Sequence, residues 1–495
     1  MTTVLNSRGD ITLDAVLAVA WRGGELRLGP AALAQIARVR EAFEAYVAGA
    51  PGASVYGVNQ GQGEMIAHAL SERDRLRLAR LKPYAAAVPF GEPYPARVVR
   101  AMILARFANL LEGHAAATPR LCEALARLLN DGPLPDVARQ GHGGPGEILA
   151  LYPLFAALSR DLDLEPGERG ALINGAPGAA ALLADAVLVA ERRLAVAERV
   201  LALAIVAFNA PGEHYDTVLA DLHGGPYQLE SFRRLAALLD GMADGVQARR
   251  HQAPVSYRIV PHVLGQACWA IGEARRLAAE SLAAVTHNPV YLAPDDNHPL
   301  GRCLSTGGYH NAVAAPAMDA IAGAWADLCL VCLRLCVGLL NGRVSGYPDF
   351  LLGGRPVGES DGHGAVGYLP MAIVGFMEEA RGLASRTFIP AADAGVFGQD
   401  DVAAPAFLAW PKSIQAGQNL DACLAVLAVV ASQALHATGR RTVPVPLRKL
   451  LAETRRHVPP VEADRVLAPE LQSLAAAFTA EIFADDLAAY GAAAR

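Results

Sequence analysis

The chain has 495 residues, of which 53% are apolar and 19% charged, with a formal net charge of −6. That balance suits a large buried core, and the lack of a long basic run argues against nucleic acid as a partner. Residues 1–18 show no basic stretch followed by an apolar one, so no signal peptide is expected.

The spacing of apolar residues predicts helices over Thr12–Ala20 and Pro30–Ala48, then a Gly-rich loop over Ala50–Gly63. Helical patterns resume at Ser71–Leu81 and Pro95–Leu111. The Pro/Gly-rich stretch Asp131–Gly146 has no period, and a strong helix signal starts at Glu147. After a second loop at Asn174–Gly178, long helices are expected over Ala179–Ala210, Pro226–Met242, Pro261–Thr286, Ala312–Leu340 and Gly367–Leu383. The apolar segments Val200–Phe208, Ile321–Leu340 and Cys423–Ala431 read as core helices rather than membrane spans, being short or, in the second case, interrupted by Asp327 and Arg334. Strand signals are few. The expected fold is an all-α bundle with helices joined by Gly-rich loops, one continuous lyase-like domain with an N-terminal region over 1–200 and a long-helix bundle over 201–495.

Seven cysteines, an odd and scattered set, fit a reducing cytoplasm. Cys329, Cys332 and Cys336 share one helical face, which reads as small core residues in preference to a metal site. With no HExxH and no paired CxxC of zinc spacing, no metal is expected.

The unusual polar residues sit in loops, where a rigid helical scaffold would carry a site. They are Tyr56-Gly57-Val58-Asn59-Gln60-Gly61-Gln62-Gly63; His142-Gly143-Gly144-Pro145-Gly146-Glu147; Asn174-Gly175; Gln252-Ala253-Pro254-Val255-Ser256-Tyr257-Arg258; Ser305-Thr306-Gly307-Gly308-Tyr309-His310; and Gln399-Asp400-Asp401. Taken singly, each is better explained as a turn, a helix cap, a surface ion pair or a solvated acidic pair.

Their order and intervals are specific. The series resembles that of the histidine, phenylalanine and tyrosine ammonia-lyase family, whose members carry YGVNTGFG, GASGDLAPL, LALING, DPYSLR followed by PQVMG, GGNFHG and QED, from about Ile11 to about Val402 of this chain. His287-Asn288-Pro289 resembles the family's DNP, with His in place of Asp. The related fumarase and aspartase group has a GSSxxPxKxN signature that is absent here. The resemblance implies an all-α lyase fold, a small-molecule substrate and a homotetramer whose sites combine loops from several subunits. It also implies that Tyr56 is the catalytic base, that Asn174 helps position the substrate, and that Arg258 binds a carboxylate. Gln252 matches a further site residue, and Tyr309 stands where the family has Phe.

The chain departs from the family at its centre. The family cyclises Ala-Ser-Gly into the electrophile methylidene-imidazolone; the matching residues here are Gly144-Pro145-Gly146. Pro145 has no hydroxyl to eliminate and no backbone N–H, so no such cofactor is expected to form. The substrate-selecting dipeptide is Ala85-Ala86, which implies a wider apolar pocket, and the Glu of QED is Asp400.

What the resemblance leaves is a tyrosine base in a pocket toward which several helix N-termini point. Those dipoles would favour negative charge and make Tyr56 more acidic. The expected activity is cofactor-free acid/base chemistry on a carbonyl or carboxylate substrate: elimination, isomerisation, conjugate addition or cyclisation. Two alternatives stand beside it: a non-catalytic partner subunit of an active paralogue, and residual amino acid ammonia-lyase activity.

Overall fold

The computed structural model describes residues 2–49, 54–61, 68–81, 88–242, 252–351, 366–391, 401–440, 442–462 and 465–479. The chain is mostly helical. It divides into two compact units, each assembled from three stretches of sequence: Met1–Leu188, Ala274–Met318 and Thr387–Trp410 in the first, and Val189–Glu273, Asp319–Arg386 and Pro411–Arg495 in the second.

In the first unit, the strand Thr2–Leu5 pairs in parallel with Glu25–Leu28. The Thr12–Ala20 helix of the sequence reading is a short turn, Leu13–Ala15, running into a π-helical turn, Val16–Trp21. The amphipathic Pro30–Gly49 helix buries Ala32, Ile36, Val39 and Phe43 along one face, a spacing near 3.6. Ala96–Arg106 is buried almost all round, which fits its near-continuous apolar run. Pro119–Asn130 starts with Thr118, whose hydroxyl accepts from Leu121 N, followed by Pro119 at the first turn. Ile148–Leu158 and Glu168–Ile173 lead into Pro177–Phe208, whose first dozen residues belong to this unit. A second strand pair, Val290–Leu292 against Arg302–Leu304, is antiparallel. Tyr291 packs from it onto Phe43, with ring centroids 5.2 Å apart.

The second unit holds the greater part of the long helices Pro177–Phe208, Ala314–Leu340 and Ala406–Ala437, together with Pro226–Leu239 and Leu369–Leu383. These three long helices are apolar enough, by length and composition, to cross a membrane. Their apolar windows are 89%, 67% and 83% buried within the protein, so that surface is used in packing. Deep in this unit Arg193 makes two parallel bonds to Asp421, at 2.8 and 2.7 Å. Gly417 makes room for the guanidinium, since a Cβ there would lie 2.1 Å from Arg193 Nη1. Tyr257 donates its hydroxyl to Leu335 O and stacks on Phe208. Cys329, Cys332 and Cys336 are fully buried, and burial raises the Cys332 and Cys336 thiols above their ordinary range. They serve as small apolar residues of the helix packing.

Candidate active site

The loop bearing Tyr56 is held by its own polar groups. Asn59 Oδ1 accepts from Val55 N at 2.7 Å, and the N–H groups of Val58, Asn59 and Gln60 all point at Val55 O. Gly57 allows the turn, with φ +71. Tyr56 is thereby presented, half-buried, on a closed turn.

Asn174 ends the Glu168–Ile173 helix in an extended conformation. Its Nδ2 donates to Asn288 O at 2.6 Å, and its own carbonyl accepts from Arg106 Nη1. Gly175 follows with φ +104, where a Cβ would stand 3.0 Å from Thr286 Oγ1 and 3.3 Å from Arg106 Nη1, so the turn excludes a side chain on both counts. Asn109 Oδ1 accepts from Thr286 N and His287 N, at 2.6 and 3.0 Å. Asn288 Oδ1 in turn accepts from Thr306 N at 2.9 Å and Ser305 Oγ at 3.3 Å. One hydrogen-bonded chain therefore runs from Arg106 through Asn174 and Asn288 to the loop that carries Tyr309.

Tyr309 lies over Gly146, whose φ is +56; a Cβ at Gly146 would meet Tyr309 Cδ2 at 3.1 Å. These pieces enclose a cavity of 360 Å³, lined by Tyr56, Pro145, Gly146, Glu147, Ile148, Ile173, Asn174, Gly175, Asn288, Ser305, Thr306, Gly307 and Tyr309. Tyr56, Asn174 and Tyr309, expected from sequence as site residues, thus share one cavity with two members of the Gly144-Pro145-Gly146 loop. Gln252 is exposed and Arg258 half-buried, both in the second unit. Ala85, Ala86, Gln62 and Asp400 lie outside the described residues.

Three buried charged or titratable groups stand around the cavity; Glu147 and His287 were seen in sequence only as the end of a Gly-rich loop and as the replaced Asp of DNP, and Arg106 was not singled out. Glu147 is 3% exposed, and its carboxylate accepts from the N–H groups of Gly178 and Ala179 at the start of the Pro177–Phe208 helix. Burial raises its pKa to about 7; the two backbone bonds and then the charge of Arg106 oppose that shift. Arg106 is 1% exposed, and burial lowers its pKa to about 10. His287 is 4% exposed; burial, then Arg106, lowers its pKa to about 3, so the ring is neutral. One signal was available: Arg106 and Asn109 interrupt an otherwise apolar run from Ala101 to Leu111. Their partners could not be read, because they lie far away in the chain.

The helix N-termini expected to serve a ligand are in part already used. The N–H groups of Gly178 and Ala179 are taken by the resident Glu147 side chain, whose oxygens stand where an anionic ligand would otherwise bind. The residues at 144–146 do not fit the family's electrophile. Ring closure there would have to dehydrate residue 145, and Pro145 offers neither a hydroxyl nor an N–H.

Comparison with known proteins agrees with this architecture. The model of the aromatic amino acid lyase family matches residues 11–161 and 154–456. A histidine ammonia-lyase of Symbiobacterium thermophilum is 30% identical over 491 residues, covering 94% of each chain. A histidine ammonia-lyase of Anaeromyxobacter dehalogenans is 28% identical over 510 residues, covering 96% of this chain and 98% of the relative. Among solved structures, the ergothionase of Treponema denticola superposes with a TM-score of 0.84 at 19% identity, covering 97% of this chain and 98% of its own. The histidine ammonia-lyase of Trypanosoma cruzi does so at 0.82 and 21% identity, covering 99% and 96%. The chain belongs to the aromatic amino acid lyase family.

Proposed function

We propose that this chain is a lyase-family enzyme that works without methylidene-imidazolone, with Tyr56 as the acid/base group for a carbonyl or carboxylate substrate. The observation that carries the reading is the shared cavity: Tyr56 and Asn174 face the loop in which Pro145 stands where the family has its serine. The relatives named histidine ammonia-lyase support chemistry at the carbon next to a carboxylate. Ammonia elimination from an unactivated amino acid needs a covalent electrophile, and its loss costs several powers of ten in rate, at about 1.4 kcal/mol for each. A substrate whose leaving group or double bond is already activated by conjugation removes that need.

In this reading the Tyr56 phenol moves a proton at the carbon beside the carbonyl, Asn174 orients the substrate, and Tyr309, whose ring base packs over Gly146, assists from the cavity wall. Arg258 is proposed as the carboxylate clamp and Gln252 as a neighbouring polar contact, with Ala85, Ala86 and Asp400 completing the substrate pocket. A homotetramer with sites shared between subunits, in the cytoplasm, completes the proposal.

The test is a panel of α,β-unsaturated carboxylates, β-substituted acids and free His, Phe and Tyr, followed by absorbance and ammonia release. Conversion of an activated substrate that falls about 10²–10⁴-fold in Tyr56→Phe supports the reading. Equal conversion by Tyr56→Phe overturns it, as does an intact mass lower than the sequence by two waters mapped to residues 144–146.

A further inference from the structure

Behind the main cavity lies a second, smaller one. It has a volume of 20 Å³, close to the roughly 10–15 Å³ that a single water needs. Tyr56, Asn174 and Asn288 line both cavities and so form the wall between them. The far side of the small cavity includes His287, His114 and Tyr291.

His287 brings an unused polar atom to this space. Its Nδ1 is buried and has no hydrogen-bond partner among the described residues. The Asn174 backbone lies beside the same ring and favours a proton on it, against burial and Arg106. In a neutral imidazole with one nitrogen protonated, the other is an acceptor. Nδ1 is therefore a buried polar atom beside a water-sized cavity, and such an atom is costly to leave without a partner.

We propose that one ordered water fills the small cavity, donating one hydrogen to His287 Nδ1 and bonding the Tyr56 hydroxyl, which makes His287 a positioning residue for the Tyr56 proton. The inference rests on the reading of Tyr56 as the acid/base group. His287 does not take the proton itself, because burial and Arg106 disfavour the imidazolium. It fixes the water's orientation: with one O–H held by Nδ1, the water turns its second O–H toward the phenolate oxygen and stabilises that form. The cavity and the orphan nitrogen are separate observations that point to the same molecule.

The experiment uses the full chain. A high-resolution crystal structure should show a water within hydrogen-bond distance of Tyr56 Oη and His287 Nδ1, and ¹⁵N-histidine spectra should show His287 protonated at Nε2. With ¹³Cζ-labelled tyrosine, the Tyr56 resonance is assigned by its loss in Tyr56→Phe and titrated in wild type, His287→Leu and His287→Gln. Tyr56 should be about tenfold less acidic in His287→Leu and close to wild type in His287→Gln. No water density in the small cavity, a His287 protonated at Nδ1, or an unchanged Tyr56 titration in a folded His287→Leu protein overturns the proposal. If His287→Leu does not fold, the water and the tautomer decide it. None of these readouts needs turnover, so they can fail while Tyr56 still acts as the base, and can hold if it does not.

Discussion

Gly178 leaves room for Glu147: a Cβ on Gly178 would stand 2.6 Å from Glu147 Oε2, and the Gly178 N–H donates to that same oxygen. The Phe407 ring closes the other side, with Cζ 3.0 Å from the same Cβ position. Neither neighbour is free to give, because Glu147 and Phe407 are both buried. Gly178→Ala should therefore destabilise the protein by about 1–3 kcal/mol, the usual range for overpacking a filled core. A urea midpoint equal to that of the wild type would show that the carboxylate is not seated where the structure places it.

The same carboxylate gives a pH dependence with a definite sign. The folded state holds the Glu147 proton up to about pH 7, against the ordinary 4.5 of an unburied glutamate. The folded protein thus binds the proton more tightly, and Glu147 contributes stability that is present below pH 4.5 and is lost as pH rises through 7. His287 works the opposite way, since its depressed pKa costs stability as pH falls from 6.5 towards 3. Glu147→Gln isolates the first effect. The difference in unfolding free energy between wild type and Glu147→Gln should fall steadily from pH 4.5 to 7, and a flat difference would contradict a proton on Glu147.

How much of this was legible in the sequence follows from where each interaction lives. Tyr56, Asn174 and Tyr309 stood out because each lies beside glycines in a loop, and the order of those loops carried the family resemblance. Glu147 was visible only as the start of a helix; its role depends on Gly178 and Ala179, more than 30 residues on. Asn109 and His287 are 178 residues apart, and nothing local announces that one orders the other. The Ala406–Ala437 helix was seen only as the apolar piece Cys423–Ala431, because Pro411 lies inside it and breaks the expected pattern. The strands Val290–Leu292 and Arg302–Leu304 have three residues each, too few for an alternation to register.

The second unit offers a test that is independent of the site. Arg193 and Asp421 are each only 5% exposed at the side chain and are joined by two bonds. Burial raises the Asp421 pKa, and Arg193 opposes that shift. Removing one partner leaves the other charge buried alone. Asp421→Ala should cost about 3–5 kcal/mol, whereas Arg193→Met with Asp421→Leu should cost clearly less, because an apolar pair of similar volume has no stranded charge. Denaturant melts of the single and double variants check this; a double variant worse than Asp421→Ala would mean that the pair holds the helices in a way no apolar contact replaces.

Asn288 joins two walls of the cavity, and its removal should loosen one of them selectively. Its carbonyl accepts from Asn174 Nδ2, which any residue at 288 could supply from the backbone. Its side-chain oxygen accepts from Thr306 N and Ser305 Oγ, which only an acceptor of this length can provide. Asn288→Ala should thus leave Asn174 in place and release the 305–309 loop, at a cost of about 1–2 kcal/mol for the lost bonds. Amide hydrogen exchange separates the two effects. Exchange should quicken at Thr306, while Asn59 and Gln60, whose N–H groups bond Val55 O on the Tyr56 turn, keep their wild-type rates. Equal acceleration on both loops would mean that Asn288 supports the whole cavity, and unchanged exchange at Thr306 would mean that the Tyr309 loop is held by contacts other than this one.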